Sequence, residues 1–428
     1  MLMCLQERNT NSEMMEVNLL NSFALYRRKD INKVKNNEQS SQITLIATAA
    51  FGLEAIAARE IKSLGYEVVE TENGRVTFTG PVDAICRCNL WLRTAERVLL
   101  KVGDFQAKSF EELFEKTKAL DWDQWIPKEG RFPVIGKSVK SQLSSVPDCQ
   151  AIVKKAVVES LKQKYHNEWF EETDSEYRIE VALLKDRATL TIDTSGEGLH
   201  KRGYRKSTHH APLKETLASA LVQLSFWKPE RVLIDPFCGS GTIPIEAALI
   251  GKNLAPGMNR EFISESWLWI PAENWRQARR ETHDVARYDE PIQIQGFDID
   301  ERALRSARHY AQEAFLEDEI HFEKRDFREL RSRYHYGCVI TNPPYGERMG
   351  EESEVQELYR EFGRVLLGLE TWSKYILTAY PDLETDFGKK ADRRRKLYNG
   401  RIMCQYYQYQ GPRPPRKKEK QDNGSNAD

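Results

Sequence analysis

The sequence predicts an α/β chain whose C-terminal half is an open, doubly wound sheet ending in an antiparallel hairpin, preceded by two smaller α+β units. Three observations carry this prediction. Apolar runs near residues 232, 293, 320 and 338 each end in a polar or glycine-rich signature, and the first two feed into helical patterns. Residues 42–105 alternate strand, helix, strand, strand, helix, strand. At 428 residues with 40% apolar content, the chain suggests two to three domains with cores of their own.

Residues 1–41 open on Met-Leu-Met-Cys-Leu and continue in mixed-charge, Asn-rich sequence without a basic start or cleavage site, so they are expected to be a disordered extension or the product of a misplaced translation start. The first strand is expected at Gln42–Ala49. A helix follows with Leu53, Ile56, Ala57, Ile61 and Leu64 on one face, closed by Gly65. Strands at 66–69 and 75–79 flank the turn Glu72-Asn73-Gly74. Pro81 opens a second helix, and 95–102 reads as a strand. This βαββαβ order predicts a ferredoxin-like unit over 42–105.

Residues 106–198 continue with a helix at 110–118, a strand at 132–139, a helix at 148–164 and strands at 177–184 and 187–193. Lys137 and Lys140 head a local supply of cations, although lysines on such elements commonly serve as a solvated face.

The C-terminal half carries the chemistry. Val232-Leu233-Ile234 is a buried strand that runs into Asp235-Pro236-Phe237-Cys238-Gly239-Ser240-Gly241-Thr242, and a helix with Pro244 in its first turn follows. Gly239 and Gly241 allow close backbone approach to a ligand. The loop lacks the Lys-Ser/Thr ending of a phosphate-cradling loop and the third glycine of the dinucleotide fingerprint. A second strand ends at Asp298-Ile299-Asp300, where a carboxylate can accept from two ribose hydroxyls. A third leads to Asp326-Phe327, placed to accept from an adenine amino group. The fourth ends in Thr341-Asn342-Pro343-Pro344-Tyr345.

That last sequence suits chemistry on a conjugated –NH2 group, whose delocalised lone pair makes it a poor nucleophile. Such a nitrogen needs alignment more than deprotonation. The Asn342 oxygen and the Pro343 carbonyl can each accept an amino hydrogen, two prolines stiffen the acceptors, and Tyr345 offers a ring for a flipped base. Taken alone, the motif is equally a proline-stiffened turn. It also does not separate adenine, guanine and glutamine.

Taken together, Leu199–Arg205, Ala211–Ala218, the Asp235–Thr242 loop and Asn342–Arg348 resemble the Rossmann-like class I S-adenosylmethionine-dependent methyltransferases. The closer resemblance is to the THUMP-containing bacterial rRNA guanine-N2 methyltransferases, a group that has also carried an N6-adenine DNA methylase label. It spans roughly 43–410, with a THUMP RNA-binding domain at 106–198 and the methyltransferase domain at 199–410. The resemblance implies that S-adenosylmethionine meets Asp235–Thr242 on its methionine side, Asp298 and Ile299 at the ribose, and Asp326 and Phe327 at the adenine. Asn342–Tyr345 would hold the target base. Pro212, Lys214, Glu215 and Thr216 would border the carboxypropyl end of the cofactor. Asp298 lies 63 positions after Asp235, against about 20–30 in a plain βαβ unit. The excess, about 252–291, resembles the family's insertion, and its Trp267, Trp269 and Trp275 are expected to pack it onto the domain.

The net charge of −1 provides no global attraction to nucleic acid, so any such site must be local. Arg202, Tyr204 and Arg205 form one candidate patch. Arg393, Arg394 and Arg395, in a loop before a hairpin at 397–409, form a second. The tail 411–428 is basic, proline-rich and expected to be disordered. Seven scattered cysteines show no metal-ligand spacing, no metal is expected, and no run of about 18 apolar residues suggests a membrane span. The scattered thiols fit a cytoplasmic protein, and the resemblance implies an enzyme acting on RNA, such as 23S rRNA or the assembling large subunit. The competing readings are a DNA N6-adenine methyltransferase, a protein-glutamine methyltransferase and a non-catalytic RNA-binding or assembly protein.

Overall fold

The structure, a computed structural model, describes residues 42–205, 213–345 and 352–415. The N-terminal half begins with β1 (Ile43–Ala49), α1 (Glu54–Ser63), β2 (Glu67–Glu72), β3 (Arg75–Gly80), α2 (Asp83–Trp91) and β4 (Ala95–Gln106). Its strands pair antiparallel in the order β2-β3-β1-β4, as the ferredoxin-like reading requires. Ile56, Ala57 and Ile61 of α1 and Ala84, Ile85 and Cys88 of α2 are buried, so each helix lays an apolar stripe on the sheet. Gly65, at φ +91°, permits the reversal after α1.

β4 runs past the expected end of the ferredoxin-like unit. Its first half pairs with β1 and its second half with β7, which joins both small units into one seven-stranded sheet. Gly103 makes room within β4, because a Cβ there would fall 2.5 Å from the Leu120 side chain. The second unit contributes α3 (Phe110–Lys118), β5 (Val134–Val139), α4 (Val146–Tyr165), β6 (Ile179–Leu184) and β7 (Arg187–Asp193).

The C-terminal half contains α5 (Glu215–Leu224), β8 (Leu233–Asp235), α6 (Thr242–Gly251), α7 (Ala272–Asp284), β9 (Ile294–Asp298), α8 (Glu301–Glu313), β10 (Ile320–Lys324), β11 (Cys338–Thr341), α9 (Glu352–Leu367), β12 (Ser373–Thr378), α10 (Leu383–Phe387), β13 (Arg393–Asn399) and β14 (Ile402–Tyr409). The strand order is β10-β9-β8-β11-β12-β14-β13, and β14 alone runs against the others. β8, β11 and β12 are buried along their whole length, as parallel strands covered on both faces must be. The chain steps outward from β8 to β10 and then returns to β11 on the other side of β8. The crevice for a ligand therefore opens at the carboxyl ends of β8 and β11. One face of the sheet shares an apolar core with the N-terminal half, and α9 and α10 cover the other.

Two local expectations change. The insertion packs largely on the N-terminal half: Trp267 stacks on Tyr177 at 4.8 Å and Trp269 meets Trp125 edge-on at 5.3 Å, while Trp275 stacks on Phe262 within the insertion. The Arg87 guanidinium of α2 grips Glu281 of α7 through two nitrogens at 2.7 Å each. Arg393–Lys396 are not a loop. They open β13, the edge strand, where charged side chains deter pairing with other strands. No helix among the described residues is long and apolar enough to cross a membrane.

Candidate active site

The carboxyl ends of β8 and β11 are joined by a side-chain hydrogen bond. Thr341 Oγ1 donates to Asp235 Oδ1 at 2.6 Å, and the Phe237 amide donates to the same oxygen at 3.2 Å. Asp235 is fully enclosed, and burial raises its carboxyl to about 7. Its side chain thus ties the glycine loop to the Asn-Pro-Pro-Tyr strand from inside.

Gly239 and Gly241 both have positive φ, at +53° and +80°, for different reasons. A Cβ on Gly241 would strike Phe322 at 2.9 Å and Ala307 at 3.0 Å, whereas the space beside Gly239 is open. The Gly239 amide donates to Asp298 Oδ2 at 2.9 Å, and the Asp300 amide donates to Oδ1 at the same distance. Asp298 therefore links the glycine loop to the end of β9. Pro236 and Cys238 are buried, while Phe237, Ser240 and Gly239 are half-buried at the crevice. Ile299 is 66% exposed and presents an apolar surface beside Asp298.

On the far side, Asp326 caps the short turn after β10 through the Arg328 amide and pairs with the Arg328 guanidinium, both at 2.9 Å. The ring of Phe327 is enclosed. It is 4% exposed and packs with Phe237 and Phe362 at 5.1 and 5.5 Å.

Asn342 is held by its amide. Nδ2 donates to the Leu377 carbonyl at 2.8 Å, and the same amide hydrogen bonds the Tyr345 hydroxyl. A carbonyl can only accept, so this anchoring fixes which end of the amide is nitrogen and leaves Oδ1 as an acceptor. Pro343 is buried, and the Pro344 carbonyl accepts from Tyr359 Oη at 3.2 Å. Tyr345 differs from expectation. It is 9% exposed, and its hydroxyl also receives Asn399 Nδ2 at 2.9 Å and Cys404 Sγ at 3.5 Å. The ring braces the motif and does not present an open stacking face.

The residues before the glycine loop point to the domain junction. Lys214 Nζ and Thr216 Oγ1 bond Glu96 of β4 at 3.1 and 2.8 Å, and these partners with His200 hold the Glu96 carboxyl down to about 2 against the opposing effect of burial. Glu215 pairs with Arg205 at 2.7 Å, and Arg205 reaches Thr242 Oγ1 at 2.7 Å. Pro212 lies outside the described residues.

Arg202, Tyr204 and Arg205 are corrected as phosphate or base contacts. All three side chains are buried: Arg202 and Tyr204 meet Glu246, each at 3.3 Å, and Arg205 joins Glu215. Their composition suggested a patch, but all three are turned inward, and Arg202 also donates to the Arg93 carbonyl of the N-terminal half at 2.5 Å, which places it at the junction between domains. Lys137 is exposed and pairs with Glu180 at 2.7 Å, and Lys140 is exposed. Arg393 and Arg394 are exposed, with Arg394 near Glu384, and Arg395 is half-buried. Sequence reasoning missed Glu96, Thr341, Tyr359 and Asn399, since each gains its role from residues outside its own element. Among the described residues no cluster of His, Cys, Asp or Glu could hold a metal ion.

Comparison with known proteins agrees with this architecture. Three domain families match: the ferredoxin-like domain of RlmL at 44–99, the THUMP domain at 107–193 and the RMKL-like methyltransferase domain at 202–408. YpsC of Bacillus subtilis, which carries a provisional RNA-methyltransferase name, is 54% identical over 378 residues, covering 88% of this chain and 98% of YpsC. The chain belongs to the RMKL-like methyltransferase family. The ribosomal RNA large subunit methyltransferase K/L of Syntrophotalea carbinolica is 34% identical over 85% of this chain, which spans 53% of that protein. The crystal structure of SMU.472, titled a methyltransferase complexed with SAH, is 44% identical with a TM-score of 0.84, covering 87% of this chain and 99% of that one.

S-adenosylmethionine is the cofactor of this methyltransferase family, and the residues present fit it. The open space beside Gly239, the acceptor Asp298 and the exposed Ile299 form a contiguous rim at the switch point.

Proposed function

We propose that this methyltransferase acts on the exocyclic N2 of a guanosine in structured RNA, with large-subunit rRNA as its target. The observation that carries the reading is the anchored amide of Asn342, which leaves Oδ1 as a fixed acceptor beside the cofactor crevice. Bound S-adenosylmethionine supplies an electrophilic methyl group. Asn342 Oδ1 accepts one hydrogen of the target amine and so turns its lone pair out of conjugation. Thr341, through Asp235, holds this acceptor in register with the glycine loop. Positioning of this kind can contribute about 7–11 kcal/mol in favourable cases. No side chain has to remove a proton first. The buried Cys238 and Cys338, whose thiols are pushed upward by burial, are not suited to act as nucleophiles.

The match of residues 107–193 to a THUMP domain and the rRNA methyltransferase name of one relative favour RNA over DNA. We assign residues 42–105 and 106–198 to holding that RNA. Asp235–Thr242, Asp298 and Ile299 are the assigned cofactor contacts, with Asp326 at the adenine edge. The test is nucleoside mass spectrometry of rRNA from a deletion strain and its parent. Loss of N2-methylguanosine is expected; an unchanged rRNA profile overturns the proposal, and loss of N6-methyladenosine redirects it to adenine.

A further inference from the structure

β13 runs parallel to β11 through the intervening strands, so its carboxyl end lies at the same edge of the sheet as Asn342. Asn399, the last residue of β13, makes this proximity concrete by donating to Tyr345 Oη at 2.9 Å. The tip of the β13–β14 hairpin therefore overhangs the mouth of the candidate active site.

A second element reaches the same place from the N-terminal half. The turn after β1 packs so closely on β13 that a Cβ on Gly52 would fall 2.9 Å from the Lys396 carbonyl. Phe51, in that turn, is 56% exposed and meets Tyr398 of β13 edge-on at 6.2 Å. Lys396 Nζ lies 5.5 Å from the Tyr398 ring centroid. Met403, opposite Tyr398 in the β13–β14 register, is half exposed. Among the described residues Lys396 has no acidic ion-pair partner.

Exposed rings are costly to leave in water, and an unpaired cation beside them lacks a counter-charge. A ligand with planar faces along a polyanionic backbone satisfies both. We propose that Phe51, Tyr398 and Met403, with Lys396 on the same face of β13, form a platform for unpaired nucleotides flanking the target base. The first, ferredoxin-like unit thus takes part directly in substrate recognition at the catalytic mouth. The inference rests on the RNA reading above and adds a site to it.

The experiment uses the full chain and a short fluorescein-labelled oligouridylate, with a duplex RNA of matched length for comparison. Binding is followed by fluorescence anisotropy, alongside calorimetric S-adenosylmethionine affinity and thermal unfolding. Phe51→Ala is expected to weaken oligouridylate binding by about tenfold, with cofactor affinity and unfolding temperature unchanged. Phe51→Trp is expected to retain binding, and Phe51→Leu to lose it. Wild-type binding by Phe51→Ala, full retention by Phe51→Leu, equal loss of duplex binding, or no binding of oligouridylate by the unaltered protein overturns the platform. A parallel assay of methyl transfer to rRNA from the deletion strain separates the two ideas. If the unaltered protein methylates that RNA and Phe51→Ala does so with the same KM, the platform fails while the RNA reading stands. If it methylates no RNA, the RNA reading fails.

Discussion

Asn342 offers the sharpest perturbation, because its amide has two separable jobs. Nδ2 anchors the side chain on the Leu377 carbonyl at 2.8 Å, while Oδ1 is the acceptor proposed for substrate. Asn342→Ala removes both. The stranded partner costs about 1–3 kcal/mol of stability, the penalty for a polar group left without its mate. Loss of a preorganised hydrogen-bonding group at the reacting centre typically lowers turnover by roughly a hundred- to a thousandfold. Asn342→Asp separates the jobs: it keeps an acceptor of the same size but sets a carboxylate oxygen against the Leu377 carbonyl. It should therefore lose turnover as well, with a larger stability cost. The assay is single-turnover methyl transfer to undermodified rRNA at saturating labelled S-adenosylmethionine, with cofactor affinity measured by calorimetry. Cofactor affinity within about threefold of wild type is expected for Asn342→Ala. Wild-type turnover in Asn342→Ala would refute the catalytic role, and wild-type turnover in Asn342→Asp would refute the anchoring argument.

Further outcomes follow from the same geometry. Burial raises Asp235 from an ordinary 3.8 to about 7, so the folded state binds more protons than the unfolded between those values, and stability from this group falls as pH rises through that window. Asp235→Asn should thus gain on wild type between pH 5 and 8 in urea unfolding, by up to about 4 kcal/mol at the upper end; a constant difference across that range would remove the assignment. Gly241→Ala must fit a methyl group 2.9 Å from Phe322 at φ +80°, and should lower both unfolding temperature and cofactor affinity in paired calorimetry. Unaltered values would show that the loop relaxes. Arg202→Met leaves Glu246 buried without its main partner and should cost about 3–5 kcal/mol in chemical denaturation. It should leave the salt dependence of RNA binding unchanged, whereas Arg393→Ala should make that dependence shallower; the reverse pattern would restore Arg202 as a phosphate contact.

The comparison between Arg202 and Arg393 shows where sequence reading stops. Both lie in short cationic runs with a tyrosine or another cation nearby, and composition treats them alike. One is buried at a junction and pairs with Glu246, and the other lies on an exposed edge strand. Local charge density does not say which face a strand or linker turns to water. Tyr345 illustrates the same limit: its place in the motif suggested an open ring, but Asn399 and Cys404, more than fifty residues away in sequence, enclose it.

By itself the sequence determined the order of elements, the doubly wound sheet, the ferredoxin-like unit and the residue types at four strand ends. These follow from periodicity, glycine and proline conformational limits and short-range spacing, which are properties of neighbouring residues. The tertiary structure alone decided that β4 joins two units into one sheet, that Thr341 and Asp235 couple the two catalytic loops, and that Glu96 ties the N-terminal half to α5. Each of these depends on which distant strands become neighbours and which polar groups are cut off from water. Pairing and desolvation of that kind exist only once the chain has closed on itself.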